Sequence, residues 1–461
     1  MIESRTARSV IDHAVSLGAD FVDLFVERNQ VNEISTLSGE VQDIGSGIDF
    51  GIGVRLVYGT RVLYGFTNRT GAQELERIVS DLAAKDRRDP ATSARSFDYR
   101  DVPDVHRARR TLARDPETEN KATWLLAADR SARAASNLVA QARGSCAQRE
   151  QAVEIFNSEG LHVRDTRHYV RARLTAIAAD GSEQATGTAT EGGLKGWEIA
   201  EAVDPEETGA EAARQALVNL SARPCPSGRL PVVIGSGFGG VIFHEACGHL
   251  LETTSVAKKA SVFHDRMGDM IANPVVSAVD DGTLVREWGS INVDDEGMAT
   301  ERTQLIRDGR LVGFLADRIG SEQTGYPRTG SGRRQSYAFA PASRMRNTFI
   351  EPGEDRFEDM IASIGRGIYA ARMGGGSVQP GTGEFNFAVT EGYFVEDGRV
   401  RYPVKAATLI STGPDVLKRI SMVGNDSALA TGMCGSVSGA VPVTVGQPTL
   451  KVDEILVGGN A

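Results

Sequence analysis

The stretch HEACGHLLE, His244 to Glu252, carries two of the seven histidines of a 461-residue chain, five residues apart, with a glutamate directly after the first. Neutral imidazoles ligate divalent metals, and an adjacent carboxylate can take a proton from water, so these residue types suit a metal-dependent hydrolase. The familiar zinc-hydrolase spacing is one residue shorter. Side chains at i and i+4 lie about 40° apart around a helix, whereas i and i+5 lie about 140° apart. Chelation by His244 and His249 therefore needs a distorted helix. A π-bulge restores the alignment, and Gly248, just before His249, lets a helix kink or open at low steric cost. The competing reading is a pair of partly buried histidines on an ordinary helix. Glu252 is a candidate further ligand. Cys247 lies inside the motif but reads better as a small core thiol. Cys434, flanked by Gly432 and Gly435, is a candidate thiolate ligand whose backbone can approach closely. Two histidines, one cysteine and a water make an open, catalytic coordination.

Other groups compete for attention. In TGSGRRQSY (329–337), Arg333 and Arg334 can bind a peptide carboxylate or brace a carbonyl oxygen, and Tyr337 can donate to an oxyanion; structural ion pairs explain the arginines equally well. The pairs Asp280-Asp281 and Asp294-Asp295 offer a second metal site, although Gly282 and Gly297 favour turns. His264 stands alone. GSGFGG (235–240) matches G-x-G-x-x-G through Gly235, Gly237 and Gly240, which makes a nucleotide-binding oxidoreductase the runner-up. No second strand ending in an acid follows about 20 residues later, as that fold requires.

The elements needed to position HEACGH are a strand over 230–234, the glycine turn and a helix over 241–252. Upstream, apolar spacing predicts a helix over 4–17, a strand at 20–29, two strands within 51–68 and a helix over 70–85. A charged, Pro-containing connection of about 86–118, read as mobile, precedes a helix over 119–142. Residues 153–179 read as a hairpin turning at Asn157-Ser158-Glu159-Gly160, and 205–222 as a helix. ARPCPSG (222–228) marks a domain boundary, giving domains of 1–226 and 227–461. The second half reads as mainly β, with another helix around 355–370, and the sequence shows no fixed-period repeat. The expected fold is α+β: a mixed α/β N-terminal domain and a mainly β C-terminal domain carrying the HExxxH helix.

Composition narrows the functions. A 41% hydrophobic and 24% charged chain is ordinarily globular. A net charge of −10 disfavours nucleic acid and anionic membrane as partners. The longest apolar run, LPVVIGSGFGGVIF, is too short and glycine-rich to span a bilayer. Four scattered cysteines and no export signal predict a cytoplasmic protein with free thiols.

Several motifs in order carry a resemblance: HEACGHLLE, DDGT (280–283), DDEG (294–297), TGSGRRQSY, RMRNT (344–348), SMVGND (421–426), and MCG followed by VGQPTLKV. Together they resemble the TldD subunit type of the TldD/PmbA (TldD/TldE) family of zinc metallopeptidases. The resemblance implies one Zn2+ per chain held by His244, His249 and Cys434, with Glu245 as catalytic base. It also implies short or unfolded peptides as substrates and a PmbA/TldE-like partner, as a heterodimer or alternatively a homodimer. A non-catalytic subunit is the third reading, against which the chain keeps the residues that carry the chemistry. Leu250 after the second histidine and GSVSGAV after the cysteine depart from the family pattern and bear on the substrate cleft.

Overall fold

The computed structural model describes residues 1–86, 88–379 and 382–459. Its N-terminal half is built twice over. Helix α1 (Ser4–Ser16) is followed by strands β1 (Phe21–Leu37), β2 (Glu40–Tyr58) and β3 (Arg61–Thr67) and by helix α2 (Ala72–Ala83). After the short strand β4 (Asp98–Arg100), helix α3 (Thr118–Ala134) leads into β5 (Val139–Asn157), β6 (Leu161–Asp180), β7 (Glu183–Leu194) and helix α4 (Pro205–Leu220). The two α-βββ-α units join through antiparallel β1 and β5 into one seven-stranded sheet, ordered β3-β2-β1-β5-β6 with β4 and β7 both on β6.

Each unit buries its helix pair on its own patch of sheet. In α1, Ala7, Val10, Ile11, Ala14 and Val15 are buried, the i, i+3, i+4, i+7 stripe that faces a helix inward. They share a core with Leu24, Val54, Leu75 and Val79. The second unit packs Leu125 and Ala128 of α3 with Ala212 and Ala216 of α4 over Ala172, Leu174 and Ala176 of β6. Small residues here let the helices lie close. Helix α4 starts on Asp204, whose carboxylate accepts from the Glu206 N–H at 2.8 Å, with Pro205 at its first position.

Three expectations change. The helix expected over 119–142 ends at Ala134, and 139–142 already belong to β5, because Ala142 faces the core as one alternate member of a strand. Strand β1 runs to Leu37, well beyond Asn29, because its polar second half pairs on both sides, with β2 and β5. The connection at 86–118 is anchored: Asp98–Arg100 pair with Leu161–Val163, and buried His106 accepts the Arg286 N–H at 3.0 Å. Arg87 of that connection lies outside the described residues.

The C-terminal half has two larger sheets and a two-stranded one, Gly332–Arg333 with Ala342–Ser343. Strands Gly228–Ile234, Arg366–Gln379, Glu384–Glu396, Thr408–Thr412 and Leu450–Gly458 pair in a closed ring. The second sheet orders Arg310–Leu311, Arg302–Arg307, Ala278–Asp281, Asn347–Ile350, Gly439–Gln447 and Ala428–Ser436, the last forming its edge. The helix expected around 355–370 is short, Phe357–Ala362, and Arg366 already begins a ring strand.

The two halves meet through buried charge. Arg55 of β2 pairs with Asp23 of β1 and, at 2.7 Å, with Glu296. Arg167 of β6 reaches Asp295 at 2.7 Å and the Val293 carbonyl at 2.9 Å.

Candidate metal centre

Strand Gly228–Ile234 delivers the chain into the glycine turn, and the glycines serve packing. A Cβ on Gly240 would come within 2.4 Å of the Gly446 carbonyl oxygen, one on Gly239 within 2.5 Å of Gln447 Nε2, and one on Gly235 within 2.4 Å of the Ala371 oxygen. The first and last glycines of the G-x-G-x-x-G match, Gly235 and Gly240, are thus packed against neighbouring chain. Gly446 and Gln447 end the strand that forms a hairpin with Ala428–Ser436. The absent side chains thus seat the HEACGH segment directly against the Cys434 hairpin.

The segment itself is broken rather than bulged. An α-helix over Val241–Ala246 ends at Cys247 (φ −127°, ψ −49°), and a 3₁₀ turn over Gly248–Leu251 carries His249. The expected continuous helix over 241–252 and its π-bulge are replaced by this break. The helix has room to end there because Gly248 lies against Met345: a Cβ would sit 2.2 Å from its sulfur. Resetting the screw at Cys247 turns His249 onto the His244 side, with ring centroids 5.3 Å apart and planes at 80°.

Ligand-type atoms of His244, Glu245, His249 and Cys434 all lie within 4.8 Å of one another, the one such group among the described residues. His249 Nε2 is 3.1 Å from Cys434 Sγ and 3.7 Å from a Glu245 carboxylate oxygen. Both nitrogens of His244 are buried without a hydrogen-bond partner. A buried imidazole with no partner is costly unless something ligates it. Burial alone would raise the Cys434 thiol, but His244 and His249 overcome that and bring it down to about 4. Burial opposes charge on His249, yet Glu252 and Cys434 hold its imidazole well above the usual value. Two imidazole nitrogens and a thiolate, with a carboxylate alongside, fit zinc in its open coordination.

Glu252 resolves as an orienting group. Its buried carboxylate accepts from His249 Nδ1 at 2.9 Å and from the Met345 N–H at 3.2 Å. This leaves Nε2 of His249 facing the cluster, the usual arrangement of a ligating histidine. Arg344 lies behind both halves of the site. It donates to the carbonyls of Cys434 (2.5 Å) and Gly439 (2.7 Å), and its Nε is 4.0 Å from Glu252. Trp288 Nε1 donates to the Gly432 carbonyl at 2.8 Å, steadying the same strand. Neither Arg344 nor Trp288 carries a signal of its own, beyond the place of Arg344 in RMRNT and of Trp288 near DDGT. Cys247 packs in the ring core, its thiol pushed up by burial.

The remaining candidates go elsewhere. Arg333, expected as a substrate contact, donates to the Met345 carbonyl at 2.8 Å. Arg334 donates to the Asp295 carbonyl at 2.9 Å and to Tyr64 Oη at 3.1 Å, and lies over the Phe25 ring. The Tyr337 N–H donates to Glu27 at 2.7 Å and its hydroxyl lies 3.3 Å from Asp49. Arg334 and Tyr337 tie the C-terminal half to the N-terminal sheet, because the flexible glycines beside them let the loop reach β1 and β2, while Arg333 stays within the C-terminal half. His264 bonds the Ser261 carbonyl. Asp281 accepts from the Thr283 N–H and hydroxyl, and Asp294 from the Glu296 and Met298 N–H groups, so the acidic pairs make turns. Gly297 has φ +79°.

Fold and donor set together define a metal-dependent hydrolase class of centre, carried by a short helix and an edge strand. The chain belongs to the PmbA/TldD metallopeptidase family. Family domains match at residues 22–85 (domain 1), 112–220 (central domain) and 227–459 (C-terminal domain). It is 41% identical over 349 residues to a metalloprotease TldD homolog of Haemophilus influenzae, covering 74% of this chain and 72% of that one. A zinc metalloprotease TldD homolog of Saccharolobus solfataricus is 32% identical over 237 residues, 50% of this chain and 52% of that one. The crystal structure of TldE from Thermococcus kodakarensis shares the fold, with a TM-score of 0.78 at 18% identity over 98% of this chain and all of that one. No described helix is long and apolar enough to cross a membrane.

Proposed function

We propose that this chain is a cytoplasmic zinc-dependent peptidase acting on short or unfolded peptides. His244, His249 and Cys434 hold one ion and Glu245 is the general base. The observation that carries the reading is the convergence of four ligand-type side chains around a His244 whose buried nitrogens have no protein partner. Zinc, when bound, would acidify a water and polarise the scissile carbonyl. Glu245, with its side chain 28% exposed, then accepts a proton from the attacking water and delivers it to the leaving amine. Glu252 holds His249 in register throughout. Cys434 sits on the edge strand Ala428–Ser436, where an extended peptide can lie as an added strand. Folded proteins cannot present such a strand, hence the preference for short or unfolded chains. A PmbA/TldE-like subunit is the proposed partner, supported by the shared fold of TldE.

The test is elemental analysis of wild type and Glu245→Gln beside a peptide-cleavage assay. Both proteins should hold about one zinc per chain, and the variant should lose turnover. Undiminished cleavage by a zinc-loaded variant would remove Glu245 from the mechanism; wild type that takes up no zinc would remove the whole reading.

A further inference from the structure

The second α-βββ-α unit leaves one face of its sheet bare. Even-numbered residues of β5 and β6 (Ala142, Cys146, Ala172, Leu174, Ala176) lie under α3 and α4. Odd-numbered residues point the other way. That face is made of small side chains: Ser145 and Ala147 on β5, Thr175 on β6, Thr188, Thr190 and Gly192 on β7. Three arginines stand out on it. Arg171 lies opposite Ala147, Arg173 opposite Ser145, and Arg143 opposite Thr175, so Arg173 sits between Arg171 on its own strand and Arg143 diagonally across on the next.

The interior arginines Arg55, Arg167 and Arg346 are each ion-paired. Arg143, Arg171 and Arg173 make no side-chain hydrogen bond or ion pair among the described residues, and the Nε of Arg171 is buried with none. Burial and the neighbouring Arg173 both weaken the hold of Arg171 on its proton, with no acid opposing them. Glu191 stands opposite Ala172 and so belongs to the helix-side face. Glu33, opposite Ala147 on the bare face, pairs with none of the three. A positive cluster uncompensated in a chain of net charge −10 is suited to an anionic ligand.

The bare face ends at the strand that carries Cys434. Gly192 is opposite Arg171, and a Cβ built on it would lie 3.2 Å from Thr431 Cγ2. Thr431 is three residues before Cys434, about 10 Å along the strand and on its opposite face. A peptide added along the edge of that strand would pass Thr431 and come out at the end of the face that holds Arg171.

We propose that Arg143, Arg171 and Arg173 form an anion subsite that binds an acidic segment of the peptide substrate, on the side of the scissile bond that runs past Thr431. This rests on the peptidase reading for its substrate, though not for its binding measurement. Each carboxylate would meet a guanidinium fork on a floor without bulk, where planar bidentate pairing is open.

Fluorescence anisotropy tests it at low salt, using a short labelled peptide with a run of glutamates and its glutamine counterpart. Wild type should bind the glutamate peptide about tenfold more tightly, the value of one net charge-assisted pair. The double variant Arg171→Gln/Arg173→Gln should erase that difference while keeping its zinc content and melting temperature. Equal binding of the two peptides by wild type would overturn the proposal, as would a preference that survives the double variant. A single-stranded oligonucleotide of equal charge that bound as tightly through the same arginines would also overturn it. A wild type that prefers the acidic peptide but cleaves neither would refute the peptidase reading and leave the subsite standing.

Discussion

Two buried clusters of ligand-type residues lie in this molecule, and they are opposites. At the junction of the halves, Asp23, Asp165, Asp294, Asp295, Glu296 and Asp317 crowd around Arg55, Arg167 and Arg328. At the HEACGH segment, two imidazoles, a thiol and a carboxylate converge with no arginine among them. Both looked like metal sites as residue types. In the junction the acids are met by guanidinium groups: Glu296 is held down to about 2, against its burial, by Arg55 and Arg328. In the other cluster the thiol of Cys434 is met only by imidazoles, those of His244 and His249. What separates a structural polar core from a candidate metal centre here is therefore the kind of partner each acid has, not the number of acids and histidines.

The sharpest way to break the comparison is to remove the thiolate. Cys434→Ser should lose zinc in elemental analysis, with no activity remaining; a variant that still bound one zinc tightly would make Cys434 a bystander. Next is the junction. Arg55→Ala strands Asp23 and Glu296 in the interior, and urea unfolding should show a loss of about 3–5 kcal/mol, with zinc affinity unchanged in the molecules that fold. A loss below about 1 kcal/mol would mean water reaches the cluster. Glu252→Gln sharpens the distinction between ligand and orienter: zinc should bind about 10–100-fold more weakly in competition with a chelator, without being abolished.

The smallest effect is a pH dependence. Burial, and then Glu296, push Asp317 up to about 7, while an unfolded aspartate titrates near its ordinary value of 3.8. The folded chain therefore holds the extra proton between those values, so this carboxyl's contribution is complete below about pH 4 and is lost as pH rises through about 7. Asp317 caps the helix Arg318–Thr324 by accepting from the Gly320 N–H at 2.9 Å. Asn can make the same cap, so Asp317→Asn should flatten melting temperature against pH over that window. An unchanged slope would assign it to another group.

How far residues alone led differs between these regions. The metal donors were legible because His, Glu and Cys have few other reasons to stand at such spacings, and Cys434 became legible through its glycine neighbours and the resemblance. The geometry was not. A break at Cys247 and a π-bulge solve the same angular problem, and only packing against Met345 chooses. The partners of Arg333, Arg334 and Tyr337 could not be read from residue type, since a loop's contacts are decided by tertiary docking, for Arg334 and Tyr337 onto β1 and its neighbours and for Arg333 onto the Met345 carbonyl. The hairpin at 157–160 and helices α1, α2 and α4 followed from periodicity. The doubled α-βββ-α plan did not, because two units can share a topology while their sequences keep only apolar spacing. The long β1 was cut short for a related reason: flanked on both sides by strands, its polar half has no alternation to read.

His249 and Cys434 are 185 residues apart in sequence yet in contact. During synthesis, the nascent chain displays HEACGH long before it has the cysteine. Closing so distant a contact comes late in folding, after the ring strands and the edge strand have found each other. On the proposed ligand set, a chain made only as far as HEACGH lacks one of its three donors, so the site is completed only when the last hairpin is in place.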